Sequence, residues 1–172
     1  MKNVGIDIYN DHPYTVDRLK KNLANWGITL SKDEVEILLN FTINVTAANE
    51  LSRRPKALKY LSENIDSYLE IIEKKFLPAE LITFDAIILF ARKILKNHPG
   101  ILEFYKAFFP VIIVDEFQDT NILQWALLQD IAGRQDQSKN NLFIFGDRFQ
   151  KIYDFIGAMD GVIDLQNKLQ NG

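Results

Sequence analysis

The stretch Val111-Ile112-Ile113-Val114-Asp115-Glu116-Phe117-Gln118-Asp119-Thr120-Asn121 decides the fold, together with Leu142-Phe143-Ile144-Phe145-Gly146-Asp147 downstream. Each opens on a continuous apolar run, β-branched or aromatic, of the kind that forms a parallel strand buried on both faces. Between them, Asn121 to Ile131 has helical spacing, with Leu123, Leu127, Leu128 and Ile131 inward and Gly133 past its end. Residues 134–141 read as a polar loop. Strand, helix, strand is a βαβ unit, and strands joined in that way are parallel. Both runs end in acid. In open parallel sheets ligands bind in the crevice beyond the carboxyl ends of the strands, so the chemistry is expected there.

Upstream the pattern is helical. Thr83 caps a predicted helix whose inner face is Phe84, Ile87, Ile88, Ala91 and Leu95, stopping near His98-Pro99, and Ile101 to Phe109 is a short aromatic-rich helix. Val16, Leu19, Leu23 and Trp26 recur at helical spacing before Gly27, a natural stop. Ser31 and Glu34 have capping-box spacing, opening a helix that buries Val35, Leu38 and Leu39. A further helix carries Ile65, Leu69, Ile72 and Phe76 and ends before Pro78. Ser52-Arg53-Arg54-Pro55-Lys56 reads as a basic turn, either solvated or in contact with a duplex. The expected class is α/β: a partial parallel sheet with helices over 81–172, after an all-helical subdomain over 1–80.

Composition excludes several chemistries. There is no Cys among the 172 residues, which removes disulfides, thiolate nucleophiles and Cys-ligated zinc. The two histidines, His12 and His98, suggest no metal cluster. Net charge is −3, with 11 basic and 12 acidic residues in 1–80 and 9 against 11 in 81–172, so neither half is a generic polyanion binder. No apolar run approaches the roughly 20 residues that span a bilayer. An intracellular, cytoplasmic protein without a membrane partner is expected.

Four apolar residues followed by Asp115-Glu116 form the Walker B arrangement: a rigid strand presents one acid to a magnesium ion and the next to the water attacking a γ-phosphate. The bland alternative is that both acids merely cap the helix beginning near Asn121. The longer pattern is more specific. Asp115-Glu116-Phe117-Gln118-Asp119-Thr120-Asn121, with Gln124 and Leu127-Leu128, resembles motif II of the UvrD/Rep-like superfamily 1 DNA helicases. Gly146-Asp147-Arg148-Phe149-Gln150-Lys151-Ile152-Tyr153-Asp154-Phe155-Ile156-Gly157-Ala158 resembles their motif III, G-D-x-x-Q-S-I-Y-x-[FW]-R-G-A.

The resemblance implies the C-terminal part of a first RecA-like ATPase domain over 81–172, and a DNA-binding helical insertion over 1–80. It implies ATP and Mg2+ as cofactors, with Asp115 as the metal-coordinating acid, Glu116 as the catalytic base and Gln150 as the sensor of the γ-phosphate. Gln118 and Asp119 would couple the nucleotide site to the DNA side. Phe155 would stack on a base of single-stranded DNA, an interaction of roughly 1–3 kcal/mol that reads no sequence. Tyr153 and Arg148 are further DNA-facing candidates, Tyr153 with a core role as its alternative and Arg148 as a phosphate contact. The partners implied are single-stranded DNA and the duplex junction, with 3′ to 5′ movement.

Three departures shape the expectation. Ile156 stands where the family has Arg, and Lys151 where it has Ser. Nowhere in the chain is there G-x-x-x-x-G-K-[ST], the loop that cradles the β- and γ-phosphates. Without that Walker A loop and a second RecA-like domain the chain alone is expected to be inactive, a fragment of a motor. A non-enzymatic helicase-like protein that binds DNA or a protein partner is the alternative, and an unrelated nucleotide-binding α/β protein is a third reading.

Overall fold

The computed structural model describes residues 2–3, 12–50, 52–132 and 141–146. Six α-helices account for most of the described residues: α1 (His12–Ala24), α2 (Lys32–Ala47), α3 (Arg54–Ile71), α4 (Phe84–Asn97), α5 (Pro99–Phe108) and α6 (Ile122–Ala132). Four short strands complete it: β1 (Lys2–Asn3), β2 (Leu81–Ile82), β3 (Val111–Val114) and β4 (Asn141–Ile144). β1 pairs in parallel with β2, and β3 in parallel with β4 in the register Val111↔Asn141 to Val114↔Ile144. This is an α/β architecture with a partial parallel sheet, as the apolar runs predict.

Local chemistry explains where the helices begin and end. Ser31 Oγ accepts from the Glu34 N–H at 3.2 Å while Glu34 accepts from the Ser31 N–H at 2.7 Å, closing the predicted capping box of α2. Past α1, Gly27 takes φ +76°, the Ile28 N–H donates to Leu23 and the Gly27 N–H to Ala24. That pair of bonds is a Schellman turn, and its left-handed residue favours glycine. It also corrects one expectation. Trp26 is 49% exposed, because the turn sends Ile28 rather than Trp26 back against Leu23.

The ladder of α3 widens into a π turn over Ile72–Phe76, then tightens into a 3₁₀ turn over Leu77–Ala79 as Pro78 stops it. Phe41 of α2 stacks on Tyr68 of α3 with centroids 4.1 Å apart, both fully buried. The Tyr68 hydroxyl meets Thr83 Oγ1 at 2.5 Å, and Thr83 Oγ1 accepts the Ala86 N–H as the cap of α4. That tie fixes the rotation of α4.

The expected inner face of α4 is corrected accordingly. Ala86, Leu89 and Leu95 are buried and Ile88 and Ala91 half-buried, while Phe84 and Ile87 face outward. Phe84 and Ile87 belong to the apolar side of an amphipathic helix, yet the Tyr68–Thr83 tie and the packing of its neighbours, rather than that stripe alone, set its orientation. One core cluster runs from Leu19 and Leu23 through Leu38, Tyr68 and Leu89 to Leu123 of α6, across residue 80.

The β3–β4 sheet differs from the strand expected to be buried on both faces. Val114, Leu142 and Ile144, with Leu128 of α6, pack on Phe117 and Trp125. Val111, Ile113, Phe143 and Phe145 on the other face are 47 to 66% exposed. Among the described residues only one face of this sheet is covered. Within α6, Leu123 and Trp125 are buried, whereas Leu127, Leu128 and Ile131 are half-buried, since the helix packs on both the sheet and α4.

Candidate functional site at the ends of the parallel strands

Immediately after β3 the chain turns sharply. Glu116 adopts the left-handed conformation, φ 50° and ψ 39°, a placement that costs a non-glycine residue about 1–2 kcal/mol. The turn sends Phe117 inward, fully buried and edge-on to Trp125 at 5.1 Å, while Asp115 and Glu116 stay exposed. A single 3₁₀ turn, Phe117–Asp119, follows. The Phe145 N–H donates to the Val114 carbonyl at 2.8 Å, and the Phe117 N–H donates to the Phe145 carbonyl at 2.9 Å. The two strand ends are therefore stitched to one another as well as paired.

The two acids do no capping. Asn121 Oδ1 accepts from the N–H groups of Leu123 at 3.0 Å and Gln124 at 2.9 Å, and Gln124 returns a bond to the Asn121 N–H at 2.8 Å. The N-terminus of α6 is satisfied by that reciprocal box. One Asp115 oxygen accepts the Glu116 N–H at 2.9 Å, and the carboxylate is otherwise open to solvent. Gln118 is 3% exposed, and its amide donates to a Glu116 carboxylate oxygen at 2.5 Å. Asp119 Oδ1 is buried and has no hydrogen-bond partner among the described residues.

Of the predicted site residues, the structure brings Asp115, Glu116, Gln118 and Asp119 together at one strand end, beside Gly146 at the other. Arg148, Gln150, Tyr153 and Phe155 lie outside the described residues, as do Asp147, Lys151 and Ile156. Gly146 is the residue that sequence reasoning passed over. A Cβ there would overlap Gln118 Oε1 and come within 3.1 Å of the Phe117 nitrogen. The signal available was a glycine directly after an apolar strand, where one backbone approaches another.

The donor set fits the metal that the motif implies. Mg2+ is commonly held by one or two carboxylates together with phosphate oxygens and water, and Asp115 offers one exposed carboxylate. Among the described residues no group of three or more His, Cys, Asp or Glu side chains forms a closed metal site. No helix among them is long and apolar enough to cross a membrane. A separate cleft of about 690 Å³ is lined by Leu69, Leu89, Arg92, Lys106 and Asp130. Within it Arg92 holds Asp130 through two bonds of 2.6 and 3.3 Å, and Lys106 meets Glu103 at 3.0 Å.

Comparison with known proteins gives a consistent result. The family model for the UvrD/REP helicase N-terminal domain matches residues 5–170. The ATP-dependent DNA helicase PcrA of Bacillus subtilis is 34% identical over 117 residues, 66% of this chain and 15% of that protein. PcrA of Staphylococcus aureus is 30% identical over 155 residues, covering 88% of this chain and 20% of its own length. The ATP-dependent DNA helicase UvrD1 of Mycobacterium tuberculosis is 29% identical over 142 residues, 77% of this chain and 18% of that protein. The chain thus spans a fifth or less of these relatives.

Proposed function

The chain belongs to the UvrD/REP helicase N-terminal domain family, and from that premise we propose that it is the segment of an ATP-dependent DNA helicase that carries the acids of ATP hydrolysis. One observation carries this reading. Asp115 and Glu116 stand exposed at the carboxyl end of a parallel strand, held there by a strained turn, while another residue caps the following helix. Among the described residues neither acid caps a helix or forms an ion pair, and both stand where ligands bind in open parallel sheets.

In this proposal Asp115 holds Mg2+, which neutralises charge on the β- and γ-phosphates when bound. Glu116 orients the attacking water and accepts its proton. Gln150 senses the γ-phosphate, since a neutral amide can both donate to a phosphate oxygen and accept from water. Asp119, with a buried oxygen still lacking a donor among the described residues, couples this end to the DNA side. Phe155, Tyr153 and Arg148 face single-stranded DNA. Residues 1–80 belong to the helical insertion near the duplex junction, and 81–172 to the first RecA-like domain.

The test is strand displacement by the intact protein with ATP and Mg2+. Duplexes with a 3′ single-stranded tail should be unwound and those with a 5′ tail left intact, and the 172-residue chain alone should turn over ATP negligibly. An intact protein that binds DNA without DNA-stimulated ATP turnover would instead be the non-enzymatic helicase-like protein.

A further inference from the structure

We infer that Gln118 is a positioning residue for Glu116, and that Gly146 is required because it leaves room for the Gln118 amide. The inference rests on the proposed role of Glu116 as base. It deepens that role by naming what holds the carboxylate in place.

The geometry is specific. In a regular helix residues two apart do not face each other. Here the left-handed Glu116 and the 3₁₀ turn after it bring Gln118 back to its neighbour, with Nε2 2.5 Å from Glu116 Oε2. Gln118 is 3% exposed, so its orientation is set by packing rather than by solvent. Its other amide atom, Oε1, occupies the space that a Cβ on residue 146 would fill. Gly146 follows Phe145, whose carbonyl accepts the Phe117 N–H at 2.9 Å, so backbone bonding fixes the approach of the two segments. The amide is confined on one side by a strand end and donates on the other to the carboxylate. A neutral donor of this kind fixes the direction of the second carboxylate oxygen without competing for the proton that the base must accept. Misplacing a reacting group by about 1 Å can cost roughly 100-fold in rate.

The experiment is a double-mutant cycle in the intact protein that carries this segment, reading DNA-stimulated ATP turnover and the affinity for a non-hydrolysable ATP analogue. Gln118→Leu keeps the volume and removes the donor. It should lower kcat roughly 10- to 100-fold, with KM and analogue affinity within about twofold of the parent. In the Glu116→Gln background, read by single-turnover phosphate release, Gln118→Leu should cause no further loss, because no base remains to be positioned. Gly146→Ala, which crowds the amide without removing it, should lower kcat in the same way and serves if Gln118→Leu does not fold. Unchanged kcat in Gln118→Leu, or the same factor lost in both backgrounds, would overturn the inference while leaving the function intact. Near-normal turnover in Glu116→Gln would overturn the assignment of the base itself, and the positioning role with it.

Discussion

Asp85 sits in the first turn of α4, and burial pushes its carboxyl up from 3.8 to about 6. It lies close enough to Tyr68 that, after burial itself, its charge helps to push that phenol upward. Because the folded state holds this proton more tightly than the unfolded chain, the sign is the reverse of a salt-bridged acid. Below about pH 3 both states are protonated and nothing is lost. As pH rises from about 4 to about 6 the unfolded chain gives up its proton first, and the fold loses of order 3 kcal/mol. Asp85→Asn should therefore be more stable than the parent at pH 7 by about 3 kcal/mol, with the gain vanishing below about pH 3. Urea unfolding at both pH values measures it. A variant that is less stable at pH 7 would show that Asp85 is held by favourable contacts instead.

At the scale of elements, the basic stretch expected as a turn over Ser52–Lys56 instead opens α3, with Arg53 at its N-cap position and Pro55 in its first turn, and illustrates how a charged stretch can be structural. Arg54 Nε donates to the Ala48 carbonyl at 3.1 Å and its terminal amine to the Asn49 carbonyl at 3.4 Å, satisfying the end of α2. Arg53 pairs with Glu50 at 3.2 Å on the surface. Arg54→Ala should cost about 1–2 kcal/mol in thermal unfolding, whereas Arg53→Ala should cost about 0–1 kcal/mol, the range of an exposed pair. Charge reversal at Arg53 and Lys56 should leave the salt dependence of DNA binding unchanged; a shallower slope would mark a phosphate contact. The caps at Ser31, Thr83 and Gly27 were legible because each is a local rule, a side chain or a left-handed residue acting within a few positions. The carbonyl clasp of Arg54, the π turn at Ile72–Phe76 and the rotation of α4 were not, since each depends on what packs across from it. Within the site, Asp115 and Glu116 could be read from their place after an apolar run. The Gln118–Gly146 contact arises only when two strand ends meet.

For the whole molecule, a continuous core joins the helices before residue 80 to α4 and α6, while among the described residues the β3–β4 sheet has one apolar face exposed. The described body of the chain is thus mainly helical, and the proposed chemistry sits on a small sheet, at a strained turn. The central claim is that Asp115 and Glu116 belong to an ATP-hydrolysing site, and one substitution addresses it most directly. In the intact protein with Mg2+ and single-stranded DNA, Glu116→Gln should abolish ATP turnover while the affinity for ATP stays within about twofold of the parent. Turnover close to normal would contradict the account, because Glu116 is the acid to which it assigns the role of base, Asp115 being committed to Mg2+.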